Sequence, residues 1–127
     1  MSLEIQIEAA EGARAQVRIR GRLDGSNHQE LDRELLPLLE DPGLLHLVLD
    51  LQALDYISSA GLRSIFRARK ALGQRDGRVL VVNPQPQVQK VFDIVKAVPV
   101  REIFRSVEEL DSYLDRIQEK ALDPDAE

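Results

Sequence analysis

Two adjacent hydroxyls, Ser58 and Ser59, stand where an apolar run gives way to a helical pattern, and small Ala60 and Gly61 follow them. The first N–H groups of a helix have no intrahelical partner and point outward. Together with the helix dipole they favour a negative group at that spot. A phosphate on either serine is therefore compatible with the fold, and would add about −1.5 to −2 charge and strong acceptor oxygens. Ala60 and Gly61 carry little side chain, so the sequence predicts a backbone open to an approaching protein. Such a site works as a binary switch: a docking surface when neutral, a repelled one when charged. On local pattern alone, a serine before a helix is far more often only an N-cap, worth about 0.5–2 kcal/mol.

Other chemistry is thinly supported. Asp24, Asp50 and Asp55 fall near the ends of apolar runs, and clustered carboxylates can hold Mg²⁺ with a substrate phosphate. Caps and loop solvation are the commoner meaning of such residues. His28 and His46 are the only histidines, and neither has a partner at a ligand spacing such as H-E-x-x-H. The G-x-S-x-G elbow and both glycine-rich phosphate loops are missing. An α/β enzyme or nucleotide-binding module is thus the weakest reading, and no catalytic residue, metal or cofactor is expected.

Composition narrows the class further. The 127 residues fit one domain, with 43% hydrophobic and 31% charged residues. There is no cysteine, which excludes disulfides, thiolate catalysis and cysteine-based metal sites. Net charge is −5, and the densest basic stretch, Arg63, Arg67, Arg69 and Lys70, spreads over more than one helical face. Direct nucleic-acid contact is not expected from that distribution. No run approaches the roughly 20 apolar residues of a membrane span, and no secretory leader pattern opens the chain. The expected compartment is the cytoplasm.

The elements that must position the serines follow from periodicity. Leu3, Ile5 and Ile7 alternate with polar residues, as do Ala15, Val17, Ile19, Gly21 and Leu23, so two strands joined by a turn at Gly12 should pair antiparallel. Asp24 to Asn27 offers caps for a helix marked by Leu31, Leu35, Leu38 and Leu39, which Pro42-Gly43 ends. Residues 44–51 read as a central strand, and 52–57 as a loop. Leu62, Ile65, Phe66 and Leu72 mark a second helix, and residues 78–82 a further buried strand. Val88, Val91, Phe92 and Val95 form an amphipathic stripe. After Pro99 come a short strand near Glu102 to Phe104 and a last helix, capped by Ser106 with Glu109 and burying Val107, Leu110, Leu114 and Ile117. Helices alternating with apolar strands imply parallel pairing and right-handed crossovers.

The run from Leu54-Asp55-Tyr56-Ile57-Ser58-Ser59 through Ala60-Gly61-Leu62-Arg63 resembles the signature of STAS domains, the anti-sigma-factor-antagonist family. Gly21-Arg22-Leu23-Asp24 is similar to that family's Gly-x-Leu-Asp at the end of its second strand. Val88 through Phe104 and Ser106-Val107-Glu108-Glu109-Leu110 resemble its third-helix region and final helix. The resemblance implies an α/β STAS fold: a mixed, mostly parallel sheet of about five strands, four helices and an N-terminal antiparallel hairpin. It implies one domain over residues 1–121, with 122–127 a short flexible acidic tail.

The same resemblance implies a non-enzymatic switch. Ser59 takes the phosphoacceptor position, and Ser58 is the secondary candidate. Ser58 stands where the best-known switching members carry aspartate, and Ala60 where they carry a second serine. Asp24, Ser58, Ser59, Ala60, Gly61, Leu62 and Arg63 are the implied partner-binding residues. The implied partners are an anti-sigma factor with serine kinase activity and a phosphatase, acting on a monomer or weak dimer. A stand-alone STAS subunit of a transporter or signalling complex, with Ser59 a plain cap, is the alternative.

Overall fold

The computed structural model describes residues 3–9, 12–97 and 106–122. Strands β1 (Leu3–Ala9) and β2 (Arg14–Leu23) pair antiparallel, from Leu3 opposite Gly21 to Ala9 opposite Ala15. Along β2, Ala15, Val17 and Ile19 are buried while Arg18 and Arg20 are exposed. One side of the pleat meets the core and the other meets water.

Helix α1 (His28–Glu40) buries Leu31 and Leu35 and leads into β3 (His46–Asp50), parallel to the first half of β2. Leu47 and Leu49 are buried in the helical core, and Val48, on the opposite face, is buried outside that cluster. The loop expected before Ser58 is instead a strand. Leu54–Ile57, here β4, runs parallel to the second half of β2. Leu54 and Ile57 are buried and Asp55 is exposed, and a spacing of three escapes a search for period two.

β2 changes partners at Gly21. The register shifts between Gly21 and Arg22, and Gly21 donates its N–H to the Ala53 carbonyl at 2.9 Å. Its φ of 101° lies where a side chain would clash with the backbone, so glycine is needed.

Helix α2 (Ser59–Gly73) and strand β5 (Arg78–Val82) follow, with β5 parallel to β3. β5 is less covered than expected: Leu80 is 43% exposed. Leu80 stands in register with Val48 and Gln16, on the sheet face turned away from the helical core. Helix α3 (Pro86–Ala97) places Val88, Val91 and Phe92 in that core. Helix α4 (Val107–Leu122) adds Leu114, with Leu110 packed against it. Val107, expected inside, is 45% exposed because it opens the helix before the packed stretch. The Ser106 hydroxyl accepts the Glu109 N–H at 3.1 Å, the expected cap.

The sheet order is β1-β2-β3-β5, with β4 also beside β2. Among the described residues this is a five-stranded mixed sheet with four helices and an N-terminal antiparallel hairpin. The strand expected at Glu102 to Phe104 and the acidic tail from Asp123 lie outside the described residues.

Candidate functional site

Two strand-to-helix corners meet at one end of the sheet. Leu23 of β2 pairs with Ile57 of β4, and the Leu23 carbonyl accepts the Ser58 N–H at 2.9 Å. Asp24 follows on one strand and Ser58-Ser59 on the other, so the fold brings these sequence-predicted residues to one place.

The β2–α1 corner closes on itself. The Asp24 carboxylate accepts from the Ser26 N–H at 2.9 Å and the Ser26 hydroxyl at 2.7 Å. The Ser26 hydroxyl, more than any other group, holds the Asp24 carboxyl below its usual range. Buried Asn27 accepts the Asp24 N–H at 2.9 Å and donates to the Arg22 carbonyl at 2.8 Å. Every partner lies within five residues, as expected of asparagine and aspartate in a tight turn.

The β4–α2 corner is built differently. Ser58 is the N-cap, with extended backbone, and its hydroxyl accepts the Gly61 N–H at 3.3 Å. Capping therefore belongs to Ser58. Ser59 is the first helical residue and only 4% exposed. Its N–H donates to Asp111 Oδ1 on α4 at 2.9 Å, while its hydroxyl oxygen is buried with no hydrogen-bond partner among the described residues.

Ala60, Gly61 and Leu62 are buried as well, contrary to the open backbone expected there. A Cβ at Gly61 would lie 2.7 Å from Leu23 Cγ and 3.0 Å from Ile57 Cγ1. Glycine lets α2 approach both strands closely. Of the candidate contact residues, Arg63 is exposed and Asp24 half-buried, and the others lie inside.

Helix α4 makes the cover. Asp111, Asp115 and Gln118 follow at i, i+4 and i+7, one stripe beside buried Leu114. Asp115 accepts the Tyr56 hydroxyl. Gln118 accepts the Ile57 N–H at 3.0 Å and donates to the Ile57 carbonyl at 2.9 Å. One side-chain amide thus satisfies the free edge of β4 as a neighbouring strand would. Gln87 of α3 adds a bond to the Asp55 carbonyl at 2.9 Å. Burial first, and then Asp115, push the Tyr56 phenol well above its usual value. The Arg22 guanidinium lies 3.9 Å over the Tyr56 ring. Sequence reasoning missed the acid-acid-amide stripe because the same spacing describes any solvated helix face.

The remaining polar candidates stay apart. Asp50 accepts the Gln52 N–H at 3.1 Å and pairs with Arg18 at 3.8 Å, and Asp55 is exposed. Among the described residues no group of three acids or histidines is arranged to hold a metal. His28 Nδ1 lies 3.5 Å from Ser64 Oγ and 3.6 Å from Asp32. One nitrogen facing both groups cannot serve as a proton relay, which needs the two ring nitrogens in separate roles. No described helix is long and apolar enough to cross a membrane.

Residues 4–110 match the family model for the STAS domain. A Bordetella bronchiseptica protein, BtrV, whose name assigns it provisionally to the anti-sigma factor antagonists, is 40% identical over 76 residues, 60% of this chain and 65% of that one. The match thus spans just under two thirds of that relative's length. The anti-sigma F factor antagonist of Paenibacillus polymyxa is 27% identical over 103 residues, 79% of this chain and 87% of that one. SpoIIAA of Bacillus, an anti-sigma factor antagonist solved in unphosphorylated and phosphorylated forms, shares the fold at a TM-score of 0.62 and 20% identity. The unphosphorylated form aligns over 71% of this chain and 82% of its own. Together with the sheet order, the hairpin and the serine corner, the family match over residues 4–110 means that this chain belongs to the STAS domain family.

Proposed function

We propose that this chain is an anti-sigma factor antagonist whose binding is switched by phosphorylation of Ser59. It engages an anti-sigma factor with serine kinase activity when unmodified and leaves it when phosphorylated, and a phosphatase resets it. In the transfer, Ser59 Oγ attacks the γ-phosphorus of ATP held by the kinase. The bond to the β-phosphate oxygen breaks, ADP leaves, and the hydroxyl proton passes to a base on the kinase. Ser58 is the secondary acceptor. The setting is the cytoplasm, with a monomeric or weakly dimeric chain and no direct nucleic-acid contact.

One observation carries this reading. Ser58 performs the capping, so the Ser59 hydroxyl does no structural work: it is buried and unpaired among the described residues. An unsatisfied buried hydroxyl costs about 1–3 kcal/mol, a cost that alanine would avoid. A hydroxyl kept at that cost, on the first residue of a helix, suits a modification site. The relatives named as antagonists support the partner class. Exposed Arg63 favours an acidic partner surface, while neighbouring Arg67 is already paired with Asp32 at 2.7 Å.

Whereas the hydroxyl's lack of a partner supports the switch, its inaccessibility at 4% exposure favours a second reading, a STAS subunit of a larger complex without a phosphoswitch. Mass spectrometry of the chain from its native cells separates the two, with a single phosphate on Ser59 expected. In binding assays with the co-purified partner, Ser59→Asp should weaken capture and Ser59→Ala should not. Equal capture of all three forms, each confirmed as folded by circular dichroism, would remove the switch.

A further inference from the structure

We propose that docking of α4 and phosphate on Ser59 exclude one another, so that the C-terminal helix conceals the switch serine and is released by its modification. This rests on the reading of Ser59 as acceptor. The anion position at the start of α2 is already filled: the Ser59 N–H donates to the Asp111 carboxylate at 2.9 Å. The hydroxyl beside it is sealed from solvent. With α4 docked the hydroxyl is out of a kinase's reach.

The docking is of a kind that can be undone. Asp111, Asp115 and Gln118 hold the β4–α2 corner through hydrogen bonds, which water can replace. α4 packs on α3 far more than on α2, with Leu110 and Tyr113 beside buried Leu114, so what the opening must break is its contact with the β4–α2 corner. A phosphate on Ser59 would place its charge against Asp111, with Asp115 one turn away, and like charges at that range repel. Departure of α4 would free the Ile57 N–H and carbonyl, an unpaired strand edge beside the modified serine. The coupling is reciprocal: whatever holds α4 down slows modification, and modification lifts α4.

The chain has no cysteine, so Ser59→Cys supplies a single thiol as a probe of access. Its maleimide labelling should be slow in the otherwise native chain. With Asp111→Ala and Gln118→Ala added, it should quicken about tenfold or more, since each change removes hydrogen bonds that hold the closed state. Exposed Glu119→Gln on the same helix should leave the rate unchanged. Native-background labelling as fast as in the urea-unfolded chain, or no acceleration by the α4 changes, would overturn the proposal. A second measurement avoids those substitutions. Phosphoserine installed at position 59 by translation should raise amide exchange along α4 and at Ile57, and retained protection would again overturn it. A chain that carries no phosphate in its native cells, yet opens α4 when phosphoserine is installed, would refute the kinase reading and leave this coupling intact.

Discussion

The two corners at the end of the sheet perform the same turn, strand into helix, by opposite means. The β2–α1 corner closes with Asp24, Ser26 and Asn27, all close in sequence. The β4–α2 corner borrows Asp111, Asp115 and Gln118 from a helix more than 50 residues away. A corner closed by local bonds keeps its shape whatever the rest of the chain does. A corner closed by a distant helix has a shape conditional on that helix.

The largest test of this contrast is Gln118→Leu. It keeps most of the volume but leaves the Ile57 N–H and carbonyl unpaired. We expect a loss of about 2–4 kcal/mol in urea unfolding, from two orphaned backbone groups, with faster amide exchange at β4 and little change at β2. Uniform exchange across both corners would erase the distinction.

Asn27→Ala attacks the self-closed corner. It strips partners from the Asp24 N–H and Arg22 carbonyl, and should cost roughly 1–2 kcal/mol because this half-open turn lets water replace part of what is lost. The exchange of Ile57 should stay as in the native chain, and a matching rise there would show the corners to be coupled.

The smallest effect is a pH dependence. The folded Asp24 carboxyl titrates below its unfolded value of 3.8, so its contribution is present above that pH and fades as pH falls through the lower folded value. Ser26→Ala removes the main cause and should flatten the fall of thermal stability below the unfolded value of 3.8, by about the few tenths of a kcal/mol typical of exposed polar pairs. An unchanged slope would assign the acid response elsewhere.

Much of this architecture was legible from local pattern. The hairpin followed from Leu3, Ile5 and Ile7 facing Val17 and Ile19, and α3 from Val88, Val91 and Phe92. In both, burial follows the period of the element, except that Ile7 of β1 is 38% exposed. β4 was not legible. Its buried residues, Leu54 and Ile57, break strand alternation, and its partner is half of a strand already assigned to another pairing. The serine pair was legible as a helix start, but which hydroxyl caps and which is concealed depends on α4. Gly61 suggested an open backbone, because its contacts with Leu23 and Ile57 belong to strands that only the fold assembles. Asp111 and Gln118 gave no signal, since a residue that hydrogen-bonds across 50 positions has the same sequence appearance as one facing water.

The handover at Gly21 has a mechanical consequence. β2 is zipped to β3 from Arg14 to Arg18 and to β4 only from Gly21 to Leu23, a ladder itself broken between Gly21 and Arg22. A disturbance entering at Ile57 therefore meets a short ladder separate from that of β3. The corner and the central rungs thus hang on different partners along one strand, joined only through the shared core.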